Sequence, residues 1–404
     1  MTYDLIVIGG GAAGFFGAIQ CAERNPALRI LILEKSNEIL SKVRVSGGGR
    51  CNVTHACFDP AEMISHYPRG EKELRGPFHG FLGGEMMDWL AEQGVETKTE
   101  EDGRVFPSSN KSESIINCFM ALCRRYQIEI VTRTTVSLLE RKEGLWALKT
   151  PVEDFIARKV LMASGSSPVT WKIIKTLGHT VIDPVPSLFT FKIKNPLIDG
   201  LAGISVPLAE VTIKGQKFKE SGPLLITHWG LSGPAILKLS AWAARALHEV
   251  HYQFEIQVNW TGEEAKKVLQ EIQKIKETSG KKALLNQVLY QLPKRLWQRM
   301  IHVLKLEKSN FADLKSAQIE ALVTMLCSCE LKVNGKSTFK EEFVTCGGID
   351  TKEINFKTME SKLLPDLYFA GETINIDAVT GGFNFQAAWT TAYLAADAIT
   401  QSLD

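Results

Sequence analysis

No stretch of this 404-residue chain approaches the roughly twenty consecutive apolar residues of a membrane-spanning helix. A strong charge of one sign is missing too. The 47 Lys and Arg nearly balance 45 Asp and Glu, for a formal net charge of +2, which excludes a global attraction to nucleic acid or acidic lipid. There is no Cys-x-x-Cys pair, and no His is spaced with the eight cysteines as a zinc site requires. A chain this long folds without disulfide staples, so reduced thiols and no metal are expected. Internal repeats and low-complexity tracts are absent. The apolar N-terminal run is short, carries Asp4 and follows no basic leader, which leads to a cytoplasmic expectation. What remains is a globular composition, 45% hydrophobic and 23% charged, long enough for two or three domains.

The most informative segment comes first. Tyr3 to Ile8 is a run of strand formers that drops into Gly9-Gly10-Gly11-Ala12-Ala13-Gly14. In such a turn the first glycine permits the tight bend, the second admits a pyrophosphate, and the third lets the following helix approach the strand. That helix would offer free N–H groups and a positive dipole end to the anion. Phe15, Phe16, Ala18, Ile19 and Ala22 continue at helical spacing, and Leu28 to Leu33 reads as a second strand ending at Glu34. A carboxylate about 20 residues past the last glycine can accept hydrogen bonds from a ribose.

Next comes Lys42-Val-Arg-Val-Ser46-Gly47-Gly48-Gly49-Arg50-Cys51-Asn52. It reads as permissive backbone flanked by cations, a loop able to wrap a phosphate-bearing ligand, with a flexible surface loop as the alternative. A helix is expected over 83–94 and another from about Ser112 to Tyr126. Leu138–Arg141, Leu145–Lys149 and Phe155–Ile156 read as short antiparallel strands, and Lys159–Gly165 as a further strand ending in a glycine turn. From about 187 short alternating segments announce a β-rich region. From 261 to 325 the pattern turns helical and basic, with interspersed acids that favour a solvated face over nucleic-acid contact. Leu367 to Gly371-Glu372 then forms a second strand-to-glycine turn, and Thr380 to Gln386 opens a small-residue helix over 387–399. The ligand edge would thus come from both ends of the chain.

The stretches Asp4–Gly14, Lys42–Thr54, Thr227–Leu237, Thr345–Ile349 and Tyr368–Gln386 together resemble the BaiN/YhiN-like (aminoacetone oxidase-like) FAD-binding flavoproteins of the glutathione-reductase-like superfamily. Ser-Gly-Gly-Gly-Arg-Cys-Asn is the most specific of these. The resemblance implies an α/β fold: a Rossmann-like FAD-binding domain of glutathione-reductase type, with an inserted β-barrel-like domain and a small helical insert. The expected boundaries are 1–187 and 340–404 for the FAD domain, 188–260 and 326–339 for the β-rich insert, and 261–325 for the helical insert. Gly9, Gly11, Ala12, Ala13 and Gly14 would line the pyrophosphate, and Glu34 with Lys35 would meet the adenosine ribose. Ser46, Gly47, Gly48, Arg50, Cys51 and Asn52 would pass the phosphates and flavin, with Val136 at the adenine and Ala163, Ser164 and Gly165 in the same half. Gly371 and Glu372 would approach the ribityl region, and Gly382, Phe383 and Asn384 the flavin pyrimidine. Asp377 receives no role.

The resemblance implies FAD chemistry without naming a substrate: a cytoplasmic FAD-dependent oxidoreductase moving a hydride or electrons at the flavin, on a small organic molecule. A second nucleotide fingerprint is missing, since Ala163-Ser-Gly-Ser-Ser-Pro lacks the glycines. Either NAD(P)H visits as a transient donor without its own domain, or substrate reduces the flavin directly. Two other readings stand beside this one: a flavin-containing binding or scaffold protein, RNA-associated, with structural FAD, and an NAD-dependent dehydrogenase using the first fingerprint alone. Cys51 and Cys57 suggest a redox pair, but their spacing is not that of disulfide reductases, and Cys51 also reads as a small packing residue. His228, in Thr-His-Trp-Gly-Leu-Ser-Gly-Pro, reads as a proton donor or acceptor or as a residue ordering a turn.

Overall fold

Apolar β-branched residues at the N-terminus build strand β1 (Thr2–Ile8), buried almost throughout. It leads through the glycines into helix α1 (Ala12–Arg24) and back into strand β2 (Ile30–Leu33). The computed structural model describes residues 2–337 and 344–403. They form two units, one made of Met1–Pro184 and Val344–Asp404, the other of Val185–Phe343. The boundary expected at 339/340 lies outside the described residues.

In the first unit, strands β1 and β2 sit in a sheet of nine described strands. Strand Asp154–Met162 lies parallel to β1 on one side and to Leu367–Phe369 on the other, and β2 pairs in parallel with Glu129–Val131. The hairpin Leu138–Lys142/Leu145–Lys149 joins antiparallel to the first half of 154–162. Two strands expected near Phe155 and Lys159 are thus one. The strand runs unbroken past buried Lys159 because its Nζ donates to Asp366 Oδ1 at 2.5 Å. A parallel sheet of this kind places its ligand edge at the carboxyl ends of the strands.

The C-terminal helix Phe383–Gln401 starts four residues before its expected beginning. It packs along α1 through small residues, Gly17 beside Ala392 and Cys21 Sγ beside the Ala396 carbonyl. An aromatic cluster locks the pair: Phe16 meets Trp89 edge-on at 5.0 Å and Trp389 at 5.5 Å. The first and last helices of the chain are therefore neighbours.

Burial alone would raise the Asp366 carboxyl, but hydrogen bonds and charge from Lys159 and Arg141 outweigh it and hold its pKa below the ordinary 3.8. A carboxyl held down in the folded state stabilises fully above its unfolded pKa. It loses that contribution as pH falls through the folded value. Stability followed against pH should show an acid limb below about pH 4, made shallower by Asp366→Asn. An identical limb in the variant would exclude this clamp as its source.

In the second unit, a six-stranded antiparallel sheet runs in the order 191–192, 230–232, 219–226, 205–213, 253–259, 329–334. The Lys192 N–H donates to the Gly335 carbonyl at 2.8 Å, so the two edges approach and the sheet nearly closes into a barrel. The helical stretch expected as a separate insert shares the sheet's core: Val211, Ile256 and Trp260 lie in one apolar cluster with Leu296, Trp297 and Leu322.

Candidate functional site

The glycine turn after β1 is shaped by close approach. Gly9 has φ +118°, and a Cβ there would stand 2.4 Å from the Ala163 carbonyl oxygen. A Cβ on Gly14 would stand 2.0 Å from the Gly9 oxygen, so glycine is what lets α1 sit down on β1. Gly11, at the start of α1, faces open space, and no side chain caps the helix. No acidic side chain lies in the first turn of α1. Glu34, at the end of β2, accepts from the Gly10 N–H at 2.7 Å and the Ser36 N–H at 2.8 Å, while Lys35 is exposed. The backbone of Thr134 donates to the Glu34 carbonyl at 2.9 Å, which brings buried Val136 to the same strand end.

The segment expected as a loop from Lys42 begins as a helix, over Ser41–Val45 of α2 (Ser41–Gly49), before Ser46 turns extended. The backbone then becomes left-handed at Gly47 and Gly48, φ +57° and +70°. Left-handed backbone is what glycine supplies at no steric cost. The cations beside it have partners that the sequence did not disclose. Arg50 donates to Glu100 at 2.6 Å and lies 3.9 Å over the Phe106 ring, and Arg44 reaches Glu113 at 3.3 Å. The cations expected beside the glycines are there, and both arginines are engaged with acidic side chains of the same unit.

Both ends of the chain converge here. With its amide turned to the orientation in which both ends find partners, Asn52 donates to the Thr54 and Val105 carbonyls and accepts from the Gly382 N–H at 2.9 Å. Trp389 Nε1 donates to the Val53 carbonyl at 2.9 Å, and Thr54 Oγ1 to Gln386 Oε1 at 2.6 Å. Lys42 Nζ donates to Glu372 Oε2 at 2.5 Å, and Glu372 Oε1 accepts from the Thr345 N–H. Glu372 also flanks Gly165, and Gly371 flanks Ala13. Ser164, next to Gly9, has a buried Oγ with no hydrogen-bond partner among the described residues.

The C-terminal helix opens at Gly382 without a side-chain cap or an acid in its first turn. The Asn384 side chain is occupied with Ala378, accepting from its N–H at 2.9 Å and donating to its carbonyl at 3.0 Å. Phe383 packs against the His55 and His66 rings at 4.6 and 4.1 Å, the two imidazoles themselves 6.0 Å apart, and its carbonyl accepts from the Tyr67 hydroxyl. Asp377, without a role in the sequence, is fully buried and faces the Arg69 guanidinium with both oxygens. Lys42, Tyr67, Arg69 and the two histidines were not among the residues expected from the sequence, because no local pattern marks their partners.

All eight cysteines are free. Burial pushes the Cys51 thiol up to about 12, and burial with the neighbouring Glu62 charge pushes Cys57 up to about 11. Neither is poised as a thiolate, the form that disulfide exchange requires. His228 lies in the second unit, exposed in the turn where the Thr227 N–H donates to the Gly230 carbonyl. No described helix is long and apolar enough to cross a membrane.

The chain is 30% identical over 411 residues to a ribosomal RNA dihydrouridine synthase of Haemophilus influenzae, covering 98% of each. It is 27% identical to a 3-dehydro-bile acid delta(4,6)-reductase of Clostridium scindens, again over 98% of each. Among solved structures, 3-ketosteroid-delta4-(5alpha)-dehydrogenase of Rhodococcus jostii superposes with a TM-score of 0.50 at 13% identity, covering 98% of this chain and 97% of that one. At that identity the likeness speaks for the fold, the Rossmann-type FAD-binding α/β architecture. The model of the HI0933-like protein Rossmann domain matches residues 3–398. With that match and the two-ended glycine edge, the chain belongs to the HI0933-like Rossmann family, whose members are flavoprotein-like oxidoreductases.

Proposed function

We propose that this chain is an FAD-dependent reductase of carbon–carbon double bonds conjugated to a carbonyl. The observation that carries the reading is the convergence, in one unit, of two uncapped helix N-termini and the left-handed glycine segment. The names of two curated relatives point the same way: one is a reductase of a bile acid's double bonds, the other makes uridine's dihydro form. Bound FAD would supply the hydride or electron transfer.

The residues of the chain have separable tasks. The first-turn N–H groups of α1 and the Gly9–Gly14 backbone would hold the pyrophosphate. The orphaned Ser164 hydroxyl lies beside that turn and would gain a partner there. Glu34 would exchange part of its hold on the Gly10 and Ser36 N–H groups for ribose hydroxyls. The N-terminus of the Phe383–Gln401 helix would favour negative charge at the pyrimidine end. Lys42 and Glu372 would fix the edge between these two ends.

The test is anaerobic stopped-flow. The protein is expected to carry flavin and to be bleached by NADH or NADPH. The yellow colour should then return on mixing with an α,β-unsaturated ketone and not with its saturated counterpart. Uridine-containing RNA is tested as a second acceptor, because the relative at 30% identity is named for it. A flavin that no conjugated acceptor reoxidises would overturn the reading and favour a structural cofactor.

A further inference from the structure

Outside the glycine edge, three side chains of unlike chemistry converge: Cys57, Glu62 and His66. Their ligand atoms, one sulfur, one carboxylate oxygen and one ring nitrogen, all lie within 4.8 Å of one another. We propose that they form a binding site for a divalent transition-metal ion of the zinc type, with its fourth position open to solvent.

The donor set fits this class of ion. Thiolate, imidazole and carboxylate are the three protein ligands of zinc, and three of them leave one position for water; the Cys57 thiol would release its proton to solvent as the metal binds. Bonds of about 2.0–2.3 Å in a tetrahedron put ligand atoms about 3.3–3.7 Å apart, so closure needs a movement of about 1 Å. Glu62 is exposed and on a helix face, free to supply that movement by a rotamer change. Hard ions such as magnesium or calcium want all-oxygen shells and are disfavoured by the sulfur.

The segment that carries the site is fastened by a helix cap and by backbone contacts. Asp59 caps the Pro60–Ile64 helix by accepting from the Ala61 N–H at 2.8 Å, and proline occupies the first turn. Cys57 precedes this helix, Glu62 sits on it, and His66 follows it. Cys57 is 3% exposed. The His66 ring is held flat against Phe383, and its carbonyl accepts from the Val379 N–H at 3.0 Å. A metal held here would cross-link the segment 57–66 internally, beside Phe383 at the start of the C-terminal helix. The spacing Cys-x4-Glu-x3-His escapes a search for cysteine and histidine pairs, because the middle ligand is a carboxylate.

The experiment uses untagged, flavin-loaded full-length protein, incubated with zinc and desalted. Metal analysis should find one zinc per chain, and zinc-edge X-ray absorption one sulfur neighbour at about 2.3 Å among lighter ligands. Glu62→Gln and Cys57→Ser should each weaken retention at least tenfold, since even loss of an outer partner costs about 10–100-fold. Zinc should also raise the unfolding temperature of the wild type and not of Glu62→Gln. Because Glu62 is exposed, that variant reports on binding even if Cys57→Ser fails to fold. No retained zinc, zinc retained fully in Glu62→Gln, or a shell without sulfur would overturn the proposal.

Discussion

Gly14→Ala is expected to purify folded but colourless. The added methyl would stand 2.0 Å from the Gly9 carbonyl oxygen and 3.2 Å from Val7 Cγ1. The first of these is backbone, so no rotamer relieves it, and α1 must lift from β1. Overpacking of this kind costs about 1–3 kcal/mol in stability, which a chain of this size tolerates. The larger consequence falls on the cofactor. Lifting α1 carries its first-turn N–H groups away from a pyrophosphate, and each hydrogen bond to a charged group is worth about 1.5–3 kcal/mol. Loss of two predicts FAD affinity weakened at least about 100-fold. Flavin absorbance per chain after desalting checks this, with circular dichroism confirming the fold. A variant that stays fully yellow would show that the pyrophosphate lies elsewhere.

Arg69→Ala should produce the largest loss of stability. Asp377 is fully buried, and Arg69 faces it with Nε and Nη2 in a two-pronged contact. The backbones join as well, through the Asp377 N–H and the Arg69 carbonyl at 3.3 Å. Removing one member of a buried ion pair costs about 3–5 kcal/mol, because the remaining charge loses its compensation in a medium of low polarity. The urea midpoint should fall accordingly. Asp377→Asn should cost less, since it removes the buried charge while keeping the shape. Asp377 leads into the loop that Asn384 fastens at Ala378, so Arg69→Ala should also loosen the start of the C-terminal helix. Hydrogen exchange at 378–386 would report it. An unfolding free energy within about 0.5 kcal/mol of wild type, the range of an ordinary surface change, would refute the clamp.

The site was legible where chemistry is local. Gly9, Gly14 and Gly47 announce backbone that other residues reach only with strain or collision, and the structure places each of them at such a bend or approach. The apolar run of β1, the helical spacing of α1 and the acid after β2 could be read in order because each depends on neighbours a few positions away. The helical start of α2 was not legible, since Ser41–Val45 shows little apolar periodicity and the glycines that follow dominate its composition.

By itself, then, the sequence determined the strand–turn–helix–strand unit, the second glycine turn and the resemblance to a flavoprotein family, because strand preference, left-handed glycine and apolar spacing act over short distances. Tertiary structure alone decided that Arg50 is spent on Glu100 and Phe106, that Lys42 meets Glu372 across 330 positions, and that Arg69 holds Asp377. It also decided that Cys57, Glu62 and His66 face one another. A charge or a ligand atom acquires its role from whatever the folded chain brings within a few ångströms, and that partner leaves no mark in the residues on either side of it.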